Sequence, residues 1–405
     1  MIRKEIKTFN KKMFEKLIIP FYSPSSIIPI YGKGSRVFDR LGKDYIDFSS
    51  GIGVTALGHC NFLIQKSLVL QSKKLWHISN LFVNEPAINL AQRLNSTTSF
   101  SSRVFFSNSG AEANEAAFKL ARYYSNKVYG FHKNKIVSFL NSFHGRTFFT
   151  VCVGGQFKYS DGFGPKPSEI FHIPYNDIKA IKSVVDDSTC AVVVEPIQGE
   201  GGVIPAKMDF MQKLRNICNK HDVLLIVDEI QTGMGRTGKL YCYEHYNIEP
   251  DIITLAKALG SGFPIGATLV NEKISKVVEI GIHGSTYGGN PLSCAIAETS
   301  LKIINSEKFL LNVRKKNKIF VKELLKINRR INIFNEIRGK GLLLGIDLKN
   351  KYKNEINKII LSSAKEGVLI LKAGKNVIRL LPPLNIKNKD IKEGMFRFYK
   401  ALKNI

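Results

Sequence analysis

Two charged side chains in the middle of the chain stand where chemistry could be done. Asp228 follows the apolar run Val223–Val227, and Lys257 comes just after a second run, Ile252–Leu255, twenty-nine positions further on. Short apolar runs bounded by polar residues read as buried strands. Strands that deliver charged residues at their C-terminal edge build the sites of open α/β sheets. A lysine amine can condense with an aldehyde, and a carboxylate at the same edge can hold a pyridine nitrogen protonated. That pair is what pyridoxal phosphate chemistry requires, because the protonated ring acts as an electron sink. Taken singly, the residues say less. An Asp-Glu pair at a strand end more often caps a helix or pairs with a cation, and a lysine in a glycine-rich loop is usually solvated. Gly233, Gly235 and Gly238 also satisfy G-x-G-x-x-G. A dinucleotide turn of that spacing opens a helix and is followed about twenty residues later by an acid. The aromatic, turn-rich KLYCYEHYNIEPD follows instead, and the dinucleotide reading is set aside.

These residues need a frame. RVFFSNSGAEANEAAFKLARYY reads as a strand, a Ser-Asn-Ser-Gly turn and a helix with Ala113, Ala116, Ala117, Leu120 and Ala121 as its apolar positions. Such a turn presents free N–H groups at a positive helix end, which can hold a phosphate. KIVSFL ends in a polar loop with His144 and Arg146, where a capped turn with a solvated arginine is the plainer alternative. CAVVVEPIQGEGG closes a further strand on Glu195 and Glu200, and a helix over Met208–Lys220 leads to the first apolar run. The alternation from Phe105 to Gly266 argues for a mostly parallel sheet covered on both faces. Ile2, Ile6, Phe9, Met13 and Leu17 recur at helical spacing, and a hairpin follows across LGKDYIDF. Asn290-Pro291 starts a long helix. The last hundred residues alternate lysine-rich helices with IRGKGLLLGIDL and NVIRLLPPL, which reads as a smaller α+β unit.

At 405 residues, with 44% hydrophobic and 23% charged content, the chain reads as a soluble two-domain protein. No apolar run reaches membrane-spanning length. The basic N-terminus lacks an apolar h-region, so no secretory signal is expected. Six scattered cysteines without a C-x-x-C pair point to reduced thiols in a cytoplasmic enzyme, with no disulfide frame and no metal site. The net charge of +27 is abnormal. It prompts a rival reading, a basic nucleic-acid-binding protein that forms salt-sensitive complexes and carries no chromophore. The local runs Arg314–Lys318 and Lys349–Lys353 are not interleaved with aromatic platforms. Substitution bias is therefore preferred, with no nucleic-acid partner, and a positive field is left to gather anionic ligands.

Six segments then carry a resemblance: SNSGAEANEAAFKLAR, SFHGRTFFTVCVGGQFKYSDGFGPKP, VVVEPIQGEGG, VDEIQTGMGRTG, AKALGSGFPIGA and HGSTYGGNPL. In this order they resemble the class III pyridoxal-phosphate aminotransferases of fold type I. GVTALGHC and KYSDGFGPKP look most like the acetylornithine aminotransferases, whose bacterial forms commonly also act on succinyl-diaminopimelate. GHCNF departs from the family's usual GHCHP, off the cofactor motifs.

The resemblance implies an α/β fold: a large domain built on a mostly parallel, seven-stranded sheet covered by helices, plus a small α+β domain from the two chain ends. The expected divisions are 1–50 for a segment shared by small domain and interface, 51–300 for the cofactor-binding domain and 301–405 for the small domain. It implies that Lys257 holds the cofactor covalently and later moves the proton, while Asp228 pairs with the ring nitrogen. Gln231 bonds the phenolic oxygen, Phe143 and Ile230 sandwich the ring, and Gly110 and Ala111 give N–H groups to the phosphate. Glu229 is counted among the cofactor-binding residues. Thr286 completes the phosphate site from a neighbouring subunit, with Ser285 beside the substrate, so a twofold homodimer is expected. Arg146 takes the α-carboxylate of acetylornithine, or the distal one of glutamate. Arg379 takes the α-carboxylate of glutamate, and Glu200 pairs with Arg379 when the other donor is bound. Tyr22 is a further substrate contact. The implied reaction moves the δ-amino group of acetylornithine to 2-oxoglutarate. Ornithine, 4-aminobutyrate and aminomutase activities share the machinery.

Overall fold

The computed structural model describes residues 9–403 and 405. Its central sheet contains β1 (Ser101–Ser107), β2 (Lys135–Phe139), β3 (Ile170–Ile173), β4 (Thr189–Val194), β5 (Leu224–Asp228), β6 (Ile252–Leu255) and β7 (Gly266–Asn271). Their spatial order is β1-β7-β6-β5-β4-β2-β3. β7 runs antiparallel to both of its neighbours, and every other pairing is parallel. β2, β4, β5 and β6 are buried at every position, which is why they appear in the sequence as unbroken apolar runs. The strand expected at Val223–Val227 is shifted by one residue, so Asp228 is itself the last strand residue. In the β5–β6 ladder Asp228 lies opposite Thr254, so the carboxylate and Lys257 arrive at one sheet edge.

The helix Gly110–Tyr129 packs on β1, β6 and β7 through the expected alanine face, with Ala113, Ala116, Ala117 and Ala121 fully buried. The helix Met208–Lys220 buries Phe210, Met211 and Leu214. Pro291–Ile304 starts as expected, with the Asn290 side chain accepting from the Ser293 N–H at 2.8 Å.

A second, antiparallel sheet joins Phe334–Lys340, Leu343–Leu348, Val377–Leu380 and Leu371–Ala373. A third joins Pro29–Lys33, Arg36–Asp39 and Asp44–Asp47 in a meander. Val368–Leu369, from the far end of the chain, adds to it in parallel. Arg36 fastens this corner to the helix Asn388–Leu402 through Asp390 at 2.7 Å and through Glu393. The two chain ends thus share one unit. Near the N-terminus the described helix is Lys11–Leu17; Ile2 and Ile6 lie outside the described residues.

The glycine triplet opens no helix. Residues 231–237 form a run of turns, with Gly235 and Gly238 at φ +79° and +88°. A Cβ on Gly238 would come within 2.6 Å of the Arg314 side chain, so this glycine serves close packing. The basic run at Arg314–Lys318 is partly internal: Arg314 donates to the Gly238 carbonyl at 2.6 Å, and buried Lys316 donates to the Leu384 carbonyl at 2.9 Å. All six cysteines are free and five are buried. Among the described residues, no helix is long and apolar enough to cross a membrane.

Candidate active site

A cavity of about 390 Å³ opens at the edge where β5 and β6 end; its lining includes Gly110, Phe143, Asp228, Ile230, Gln231 and Lys257. Asp228 forms its floor and is 4% exposed. Its Oδ2 accepts from Asn114 Nδ2 at 2.9 Å and lies 2.8 Å from His144 Nδ1, while Oδ1 accepts from the Ile230 N–H at 3.0 Å. Asn114 is fixed in turn, since its Oδ1 accepts from the Thr254 hydroxyl at 2.8 Å and its Nδ2 also donates to the His144 carbonyl. His144 Nε2 has no partner among the described residues. The carboxylate is therefore aimed by three donors and is not free to rotate.

Lys257 leaves β6 with φ +46°, a left-handed conformation that lysine adopts only when its surroundings impose it. Burial pushes its ammonium below the usual lysine range, helped by Arg379 and opposed by Glu200 and Asp228. The helix at Gly110 starts on a reciprocal cap. Ser109 Oγ accepts from the Glu112 N–H at 3.2 Å, and the Glu112 carboxylate accepts from the Asn108 N–H at 3.1 Å. The first N–H groups of any helix lack an intrahelical partner. A Cβ on Gly110 would come within 2.8 Å of the Ile230 side chain, so only glycine lets these elements approach so closely.

Glu195 ends β4 much as Asp228 ends β5. It also lines the cavity, and its carboxylate accepts the Phe143 N–H at 3.1 Å and the Gly199 N–H at 3.4 Å. Burial, and then the neighbouring Asp228, hold its carboxyl well above the usual carboxylate range. In the sequence Glu195 is marked only as the end of a strand. No local pattern marks Thr254, and the one signal for Asn114 is its place as a polar residue on the alanine face of its helix.

The mouth is built from charges. Arg379, 2% exposed, donates to Glu200 at 2.5 Å and to Gln231 Oε1 at 3.1 Å, leaving its Nε without a partner among the described residues. Arg146 is exposed, and its guanidinium lies 3.8 Å from the centre of the Tyr159 ring and 5.7 Å from that of Phe143. Among the described residues, no carboxylate pairs with Arg146.

Of the expected residues, Glu229, Thr286, Tyr22 and Ser285 do not line this cavity, and Glu200 and Arg379 border it through Gln231. The Glu229 carboxylate is taken into the interior by the Thr232 hydroxyl at 2.5 Å and the Tyr243 N–H at 2.7 Å; burial raises it to about 7. Consecutive residues at a strand end point to opposite sides, so Asp228 and Glu229 cannot share the site. Thr286 is exposed, and Tyr22 is 75% exposed. Ser285 is half-buried, with its hydroxyl accepting from Asn108 Nδ2 at 3.2 Å.

A parallel sheet edge that brings a lysine, an aimed carboxylate and a helix start to one cavity is suited to pyridoxal-phosphate chemistry. The sequence pattern of the class III aminotransferases matches residues 22–402, and the chain belongs to that family. It is 61% identical, over 98% of each chain, to the acetylornithine/succinyldiaminopimelate aminotransferase of Buchnera aphidicola subsp. Schizaphis graminum (strain Sg). Among solved structures it is similar to N-acetylornithine aminotransferase from Stenotrophomonas maltophilia K279a, with TM-score 0.85, 36% identity and 97% and 98% of the two chains covered. It is also similar to an ornithine aminotransferase from Toxoplasma gondii with pyridoxal phosphate at partial occupancy in its active site. There the TM-score is 0.91, the identity 30% and the coverage 97% and 94%.

The family depends on pyridoxal phosphate, and the residues present fit that group. Asp228 offers an aimed, acceptor-only carboxylate for a ring N–H, and Lys257 offers an amine held toward its unprotonated form. The glycine-started helix offers uncapped N–H groups beside Ile230.

Proposed function

We propose that this enzyme transfers the δ-amino group of N2-acetyl-L-ornithine to 2-oxoglutarate, with N-succinyl-LL-2,6-diaminopimelate as a second donor and pyridoxal phosphate bound in the cavity. One observation carries the substrate class: of the two arginines at the mouth, Arg379 is occupied by Glu200, and Arg146 has no carboxylate among the described residues. A site with one open guanidinium suits acetylornithine, whose single α-carboxylate lies far from the reacting amine; succinyl-diaminopimelate, with a carboxylate beside its reacting amine, needs Arg379 as glutamate does. Glutamate reacts beside its α-carboxylate and carries a second one, so it needs both arginines, and Glu200 must then let Arg379 go.

When bound, pyridoxal phosphate supplies an electron sink for the pair of electrons left when the reacting carbon loses its proton. The chain's own residues do the rest. The Lys257 amine takes that proton and returns it, a role its lowered basicity favours. Asp228, oriented by Asn114 and His144, holds a positive ring nitrogen in place. Phe143 and Ile230 close the two faces, and Gln231 stands beside Arg379 as a hydrogen-bond partner. Gly110 and Ala111 offer backbone N–H groups to a phosphate.

The same reading makes the enzyme a homodimer. Phe62, Trp76, Leu81, Phe82 and Val83 are all more than 60% exposed in the single chain, a concentration of apolar surface that supports a subunit interface. Thr286 then reaches the partner's phosphate site. The divisions 1–50, 51–300 and 301–405 accord with the sheet shared by the two chain ends. Free, buried thiols support a reducing, cytoplasmic setting.

A single-turnover titration tests the reading. The absorbance change of the first half-reaction is followed with N-acetylornithine, succinyl-diaminopimelate, ornithine and 4-aminobutyrate in parallel. Fast change with the first two is expected; a faster one with free ornithine or 4-aminobutyrate would overturn the substrate assignment and leave the chemistry standing.

A further inference from the structure

A second cleft, of about 760 Å³, is lined by two residues of the mouth: Tyr159, on which Arg146 stacks, and Glu200, which holds Arg379. The rest of its charged lining is four lysines, Lys158, Lys353, Lys372 and Lys375. The Lys158 ammonium lies 4.6 Å from the centre of the Tyr159 ring that also carries Arg146. The turn bearing Lys372 and Lys375 is fastened to the mouth, because the Gly374 N–H donates to the Glu200 carbonyl at 2.8 Å. Gly374 sits at φ +54°, where a Cβ would come within 3.1 Å of the Gly201 oxygen, so the two turns are packed on each other.

Among the described residues, no carboxylate pairs with any of these lysines, and the cleft's acid, Glu200, is already engaged by Arg379. Exposed lysines elsewhere lie against acids, as Lys127 does on Glu279, Lys166 on Asp161 and Lys213 on Asp209. Four unneutralised ammonium groups around one concavity focus a positive potential that scattered charges do not.

Resting on the acyl-donor reading above, we propose that this cleft receives the acyl end of the amino donor and selects acyl groups that themselves end in a carboxylate. In an N-acylated ornithine the acylated nitrogen and the α-carboxylate share one carbon. A carboxylate held by Arg146 therefore leaves the acyl group beside Tyr159, at the edge of the lysine cleft. An acetyl group brings nothing for the lysines to bind; a succinyl group brings a carboxylate.

The test uses two donors that differ only in the acyl group, uncharged in N-acetyl-L-ornithine and ending in a carboxylate in N-succinyl-L-ornithine, with the cofactor-loaded enzyme. The first half-reaction is measured in the wild type, in K158Q/K353Q/K372Q/K375Q, and in a control of equal charge loss on exposed lysines outside the cleft, K207Q/K220Q/K308Q/K322Q. Each surface contact is weak singly. Together they are expected to give a wild-type preference for the succinyl donor of about tenfold, falling to about twofold in the cleft variant and in high salt, and holding in the control. A preference unchanged in the cleft variant, or lost equally in the control, would overturn the cleft assignment while the acyl-donor reading stands. Failure of both acylated donors, with free ornithine reacting fast, would overturn the two together.

Discussion

The floor and the mouth of the cavity are built on opposite plans. At the floor the polar groups that aim the carboxylate are buried and fixed: Asp228 has three donors, and Asn114 is locked between Thr254, His144 and Asp228. At the mouth, Arg379 is paired with Glu200, and exposed Arg146 meets no carboxylate among the described residues. The difference separates two tasks. Chemistry common to both half-reactions needs one fixed geometry, whereas accepting two donors of different shape needs charges that can change partners.

Variants at the floor should therefore depress turnover with every donor, and variants at the mouth should change the ratio between donors. Lys257→Ala is the largest expected loss, on the order of 10⁴-fold or more in turnover with all donors, with unchanged thermal unfolding and loss of the yellow chromophore on dialysis. Retained colour in that variant would remove Lys257 from its role. Asp228→Ala should still bind part of its cofactor and lose roughly 10³-fold in turnover, again evenly across donors. Near-normal turnover there would dissolve the distinction at the floor. Arg146→Lys keeps the charge and loses the fork that matches a carboxylate, so kcat/KM for the acylated donor should fall by roughly 30-fold, about 2 kcal/mol. Glu200→Gln frees Arg379 and should move the glutamate-to-acylornithine ratio of kcat/KM by about tenfold toward glutamate. An unchanged ratio would mean that the Glu200–Arg379 contact does not sort the donors.

The smallest effect lies outside the cavity. The folded-state pKa of Glu229, about 7, is above its usual 4.5, so the folded chain holds that proton more tightly than the unfolded one. Its contribution to stability is thus full below about pH 4.5, is lost as pH rises to about 7, and stays lost above. Glu229→Gln should flatten this decline by up to about 3 kcal/mol between pH 4 and 8, read by denaturant unfolding at each pH, while turnover stays near wild type. A large loss of turnover would instead tie Glu229 to the site.

Much of this is legible in the amino-acid sequence alone. The apolar runs of β4, β5 and β6 announced buried parallel strands, and the residues at their ends announced the edge that bears the cavity. The alanine stripe of Gly110–Tyr129 announced close packing on the sheet. Glu229 was misjudged because adjacency in sequence says nothing about which side of a strand end a side chain takes. Asn114 and Thr254 were missed because their role is to bond another side chain across 140 positions, and no local pattern records that. The lysine cleft was hidden differently: in a chain of net charge +27, four more lysines carry no signal until the fold gathers them.

The sheet shared by the chain ends also sets an order of assembly. Arg36 and Asp390 are 354 positions apart, and at ribosomal speeds of about 5–20 residues per second the first waits roughly 20 to 70 s for the second. During that interval the Asp44–Asp47 edge has no partner, since Val368–Leu369 has yet to emerge. The central strands, all complete by Asn271, can pair meanwhile. This corner therefore closes late, and until Val368–Leu369 is released the Asp44–Asp47 strand keeps an open edge.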